Sequence, residues 1–177
     1  MIIIGIDPSL TQTAICCYTP TQVTMPWTGL VKSSPANGLR GRMDRYGSIT
    51  AGIASYIREA ADLDDDIAIF IEGLSFGSKG KGMFNLAELR GVLLSELLRL
   101  CDAVYEVPPS TLKQFVAGKG NADKTAMITA CVKRYGVEYG TNDEYDAYGL
   151  CKLGECYLGL AEPANESQRK AITKVTA

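Results

Sequence analysis

Apolar side chains occupy positions 2–4 and 6, broken only by Gly5, and the run stops at Asp7-Pro8-Ser9. A short unbroken apolar run bounded by a turn signal predicts a buried strand. "TAICCY" (13–18) and "QVTMPWTGLV" (22–31) predict two more strands, joined by Thr19-Pro20-Thr21. Three strands in series suggest an antiparallel meander, and Pro26 argues for an edge position or a bulge in the third. From 38 to 61 the period changes. Leu39, Met43, Tyr46, Ile49, Ile53 and Ile57 recur at helical spacing. "DIAIFIEG" (66–73) is nearly all apolar, as in a strand covered on both faces.

"GLSFGSKGKGMF" (73–84) reads as a loop with four glycines. "NLAELRGVLLSELLRL" (85–100) predicts a helix with Asn85 as N-cap and Glu88 three residues on. "AVYEV" (103–107) is a fifth strand, and Pro108-Pro109-Ser110 opens a short helix through Val116. A further helix covers 122–135 and ends at Gly136. Asn142 is expected to cap a last helix reaching about Leu158. The polar composition after Gly159 predicts a flexible C-terminal tail over 161–177, beyond a single α/β domain over 1–160.

Composition narrows the chemistry. The chain has 177 residues and no apolar run near the ~20 needed to span a bilayer. A strand beginning at residue 2 leaves no room for a targeting peptide, so the expected location is cytoplasmic. Six cysteines, none in a C-x-x-C pair, read as reduced core thiols. There is no histidine. That excludes Ser-His and Cys-His nucleophile systems and His-ligated zinc. Acid–base or metal chemistry must run on Asp, Glu, Lys, Tyr or water. The net charge of −2 gives no global push toward nucleic acid. Locally, Lys113, Lys119, Lys124, Lys133 and Arg134 stand against Asp123 alone, and Lys79 and Lys81 lie in the glycine-rich loop.

The carboxylates at strand ends are the candidate chemistry. Asp7 closes the first strand and Glu72 the fourth, where ligand sites of open α/β sheets lie. Parallel neighbouring strands would set them side by side. In "NDEYDAYGL", Asp143 and Asp146 are three apart and share one helix face within the first turn. Four convergent carboxylates resist ionising without a counter-charge. An all-oxygen ligand set favours Mg²⁺ or Mn²⁺. Taken singly, each acid also fits a plain turn, an edge position or a capping charge.

With those positions in view, "GIDPSLTQTA", "IFIEGLSF", "AELRGVL", "VPPSTLKQFVAGKGNADKTAM" and "DEYDAYGLC" together resemble the landmarks of the RuvC-type Holliday junction resolvases, within the ribonuclease H-like superfamily. The resemblance spans about residues 2–158 and holds in the spacing of every block. It implies a ribonuclease H-like α/β fold, with a five-stranded mixed sheet built of a three-strand antiparallel meander plus parallel strands. It implies a homodimeric, structure-selective endodeoxyribonuclease that makes paired nicks in a four-way DNA junction by two-metal-ion hydrolysis. The implied ligands of two Mg²⁺ or Mn²⁺ ions are Asp7, Glu72, Asp143 and Asp146. Lys113 ("STLKQF") and Lys124 ("NADKTA") match lysines beside the scissile phosphate, and the helix over 85–100 matches one that contributes to the dimer interface. Lys119 lies between those two lysines in the same basic segment. A compact phage-encoded member fits the short tail.

Two positions depart from the family. Ser9 stands where a glycine is usual, and Ser75 where an aromatic residue that opens the junction is frequent. A one-residue shift would let Phe76 do the stacking. Lys79 and Lys81, among glycines, would approach a phosphate backbone. Three other readings compete. One is a broader endonuclease for flaps, forks and three-way DNA, and another is a catalytically dead junction binder. The third is an actin-like nucleotide-binding module, which needs about twice this length.

Overall fold

The computed structural model describes residues 1–21, 26–61, 66–74 and 80–177, apart from the Lys81 side chain. Its strands are β1 (Ile2–Asp7), β2 (Gln12–Tyr18), β3 (Trp27–Lys32), β4 (Ile67–Glu72) and β5 (Val104–Val107). Its helices are α1 (Gly38–Ala60), α2 (Lys81–Leu100), α3 (Pro109–Ala117), α4 (Lys124–Tyr135), α5 (Asn142–Tyr157) and α6 (Glu166–Ile172). The strands form one sheet in the order β3-β2-β1-β4-β5. β1, β2 and β3 pair antiparallel, while β4 runs parallel to β1 and β5 parallel to β4. This is the expected meander with added parallel strands, and Pro26 precedes the edge strand β3.

Strand alternation divides the core in two. Ile4, Ile6, Ile69 and Ile71 pack with Ile53, Ile57, Leu93 and Leu97 of α1 and α2. Ile3, Ala68 and Phe70 pack on the other face with Leu112, Phe115, Ala147 and Leu150 of α3 and α5. β1 is therefore buried on both faces, which its unbroken apolar run requires. Gly5 has a specific reason. A Cβ there would lie 2.0 Å from the Ala147 carbonyl oxygen, so only glycine lets α5 rest on β1 this closely.

Helix starts differ from the sequence expectation. α2 begins four residues before Asn85, with Gly80 at the N-cap in a positive-φ conformation. Glu88 accepts hydrogen bonds from Arg42 and Tyr46 of α1 instead of closing a capping box. Thr141, not Asn142, caps α5 in a full capping box with Glu144. α4 starts at Lys124 behind the capping Asp123. The polar stretch after Gly159 is not a bare tail. It carries α6, capped by Asn165, with Gln168 and Ala171 buried. Seven residues with two inward positions give too weak a period to read, so tertiary contacts make this helix. The cysteines are free thiols, and burial pushes Cys17 and Cys131 up to about 12.

Candidate active site

The register that pairs Ile6 with Ile71 leaves Asp7 and Glu72 as the next residues on two adjacent parallel strands. Alternation puts both on the face shared by Ile3, Ala68 and Phe70, under α5. The capping box at Thr141 aims the first turn of α5 at the same point, and Asp143 and Asp146 lie one above the other on it. All four acids line one cleft of about 550 Å³. Lys113 of α3 and Lys124, the first residue of α4, line it too. Lys119 is exposed in the loop between those helices and is not part of the cleft wall. Phe76 and Lys79, like the Lys81 side chain, lie outside the described residues.

Burial dominates the electrostatics. It holds the Asp7 carboxyl well above the usual carboxylate range, and Glu72, Asp146 and Asp143 reinforce the shift. Asp7 also shares a hydrogen bond with Glu72, which raises Asp7 and lowers Glu72. Glu72 is nonetheless raised by burial, with Lys113 opposing. Asp146 is pushed up to about 7 by burial, then by Glu72 and Asp143, against the pull of Lys113 and Lys124. Asp7, Glu72 and Asp146 therefore hold protons that water-exposed carboxylates would have lost. They would release them to a bound cation.

The donor set fits a hard divalent ion: carboxylate oxygens only, with no thiolate or imidazole in the cleft. Among the described residues no three acidic or sulfur side chains are already gathered around one point. The acids line an open cleft rather than a closed cage. That suits an ion such as Mg²⁺, which keeps several waters and takes one or two carboxylates.

Two supporting residues escaped the sequence reading. Gln12 opens β2 and donates from Nε2 to Asp143 Oδ2 at 3.1 Å. Arg90, almost fully buried, donates from Nε to the Glu72 carbonyl at 3.2 Å and from a terminal nitrogen to Glu106 at 2.5 Å. A signal for Arg90 existed: it interrupts the apolar stripe Leu86, Leu93, Leu97 of α2, and a charge on a buried stripe needs a partner. Ser9 also finds its role. Its hydroxyl accepts from the backbone N–H of Thr11 and Gln12, and its own N–H donates to Thr13 Oγ1. The serine thus closes the turn that delivers Gln12, without a positive φ.

A sequence model described as "Crossover junction endodeoxyribonuclease RuvC" matches residues 3–136. A protein of that name from Prochlorococcus marinus is 28% identical over 164 residues, covering 87% of this chain and 97% of its own length. One from Chlorobaculum parvum is 24% identical over 154 residues, covering 85% and 79%. Among solved structures, Thermus thermophilus RuvC superposes with a TM-score of 0.67 at 20% identity, covering 92% of this chain and 99% of that one. T. thermophilus RuvC in complex with a Holliday junction substrate superposes with a TM-score of 0.66, also at 20% identity, over 85% and 90%. The fold is thus the ribonuclease H-like fold of those structures.

Proposed function

This chain belongs to the RuvC family of crossover junction endodeoxyribonucleases, and we propose that it resolves four-way DNA junctions by hydrolysing one phosphodiester in each of two strands. The observation that carries the reading is the cleft. Acids from two strand ends and one helix N-terminus face the lysines of α3 and α4 across it.

Asp7, Glu72, Asp143 and Asp146 would hold two divalent cations, Mg²⁺ or Mn²⁺. Such ions supply Lewis-acid charge suited to in-line displacement at phosphorus. The chain's own part is placement. The sheet fixes Asp7 and Glu72 at rigid strand ends, Gln12 orients Asp143, and Arg90 holds the end of β4. Lys113 and Lys124 bring positive charge to the phosphate, where negative charge builds in the transition state. Lys119 lies beside them, exposed, as a contact for the flanking backbone. Phe76 is the proposed base-stacking residue, with Lys79 and Lys81 as further backbone contacts. A homodimer presents two such clefts, one per strand. Exposed Phe84 and Leu98 on α2, with Leu39 on α1, support an apolar interface on that side of the sheet.

The test is a panel of synthetic four-way, three-way and flap DNAs, cleaved side by side with Mg²⁺ and with an Asp7→Asn control. Preferential, symmetric nicking of the four-way junction, lost in the control while binding survives, is expected. Equal rates on all substrates would replace the junction assignment with a general branched-DNA nuclease. Cleavage retained by the control would remove the acids from the mechanism.

A further inference from the structure

α6 lies against α3, the helix that carries Lys113, and closes its C-terminal end. The Ser167 hydroxyl sits within hydrogen-bonding distance of two α3-end carbonyls, Gln114 at 3.1 Å and Gly118 at 3.2 Å. Gln168 is only 3% exposed. Its Nε2 donates to the Phe115 carbonyl and the Tyr135 hydroxyl, each at 3.4 Å, and its Oε1 accepts from the Ala164 N–H at 2.7 Å. Lys174 donates to the Gln114 side chain at 2.7 Å. Helix-end carbonyls lack partners within their own helix. Here the segment adds to the partners of Gln114, which also accepts from the Gly118 N–H, and of Phe115, which also accepts from Arg134, and it reaches the Gly118 carbonyl.

The segment then reaches β5, the strand next to the one that ends at Glu72. Thr176 exchanges both backbone hydrogen bonds with Glu106 of β5, at 2.7 and 3.1 Å. Glu106 is the residue whose carboxylate pairs with Arg90, and Arg90 holds the Glu72 carbonyl. One anchor thus falls on α3, which carries the cleft lysine Lys113, and the other on β5, whose Glu106 pairs with the cleft-lining Arg90.

We propose that residues Glu166 to Thr176 form a positioning strap for the cleft. α6 fixes α3, and with it Lys113, while Thr176 fixes β5 beside the Arg90–Glu106 pair that holds Glu72. The strap makes no contact with substrate. It sets where the lysine sits relative to the acids. The proposal rests on the nuclease reading above, and its test separates the two.

The full-length Ser167→Ala/Gln168→Leu variant removes the bonds that α6 side chains make to α3 and leaves the Gln114 donation to the Ser167 carbonyl. Glu166→Ala/Lys170→Ala removes charges that pair within α6 and serves as the control. The first readout is amide exchange of α3, which needs no activity. The strap variant is expected to exchange at least about tenfold faster at Ala117 and Gly118, the control not. The second is the single-turnover rate on a four-way junction at saturating Mg²⁺. It should fall about tenfold to a hundredfold in the strap variant with junction affinity unchanged. In a Lys113→Ala background the same change should cost less than about twofold, because both act on one group. An equal loss in both backgrounds, or unchanged α3 exchange, overturns the strap. If the unmodified protein cleaves no junction, the nuclease reading has failed, and α3 exchange alone decides for or against the strap.

Discussion

Asp146→Asn should stabilise the metal-free protein while destroying its activity. Burial, and then Glu72 and Asp143, push the folded Asp146 carboxyl up from 3.8 to about 7. At about 1.4 kcal/mol per pH unit, that rise means the ionised group costs the folded state roughly 4 kcal/mol. The cleft is open to water, and Asn introduces an amide that needs partners, so about 2 kcal/mol is a sound expectation for the net gain. The sign follows from linkage. A carboxyl whose folded pKa is raised binds an extra proton in the folded state between about pH 4 and pH 7, so stability falls across that window and flattens above it. The assay is urea denaturation in chelator near pH 8 and near pH 5. The variant should be the more stable near pH 8, with the gap shrinking as the pH falls. Mg²⁺ should raise the stability of the parent protein more than that of the variant. A variant no more stable than its parent near pH 8 in chelator would refute the picture of a strained acidic cleft.

Gly5→Ala puts a Cβ 2.0 Å from the Ala147 carbonyl oxygen. β1 and α5 must then part, at a cost of about 3 kcal/mol in urea unfolding; near-parental stability would disprove their close approach. Gln12→Ala releases Asp143, so the Mg²⁺ concentration for half-maximal cleavage should rise about tenfold with the rate at saturating metal little changed. An unchanged metal requirement removes Gln12 from the site. Glu106→Leu strands the buried Arg90 guanidinium and should destabilise by about 3 kcal/mol, while Arg90→Met/Glu106→Leu costs less than that single change. Additive losses, measured by the same denaturation, would show that the pair is not coupled.

Much of this site was legible in the sequence because its residues sit where local patterns end. Asp7 and Glu72 terminate apolar runs, and Asp143 and Asp146 share a face by spacing alone. The supports were not legible, because each acts across a long stretch of chain. Gln12 reaches Asp143 over 131 positions, and Arg90 joins Glu72 to Glu106. A hydrogen bond between distant residues leaves no periodic trace in the chain. Ser9 looked anomalous in the sequence for the same reason: its worth lies in where it sends Gln12.

The chain's own pattern specified the set of elements and their buried faces, because alternation and helical period are properties of consecutive residues. It also determined the available chemistry, since a chain with no histidine and paired acids at strand ends has few options. Tertiary structure alone decided how close α5 comes to β1, which groups hold the acids in place, and the fate of the last residues. Composition reads 161–177 as a loose polar tail, yet Ser167, Gln168 and Thr176 find partners on α3, α4 and β5. A polar side chain carries no instruction about its partner until the fold brings unsatisfied carbonyls within reach, and at α3 and β5 it does.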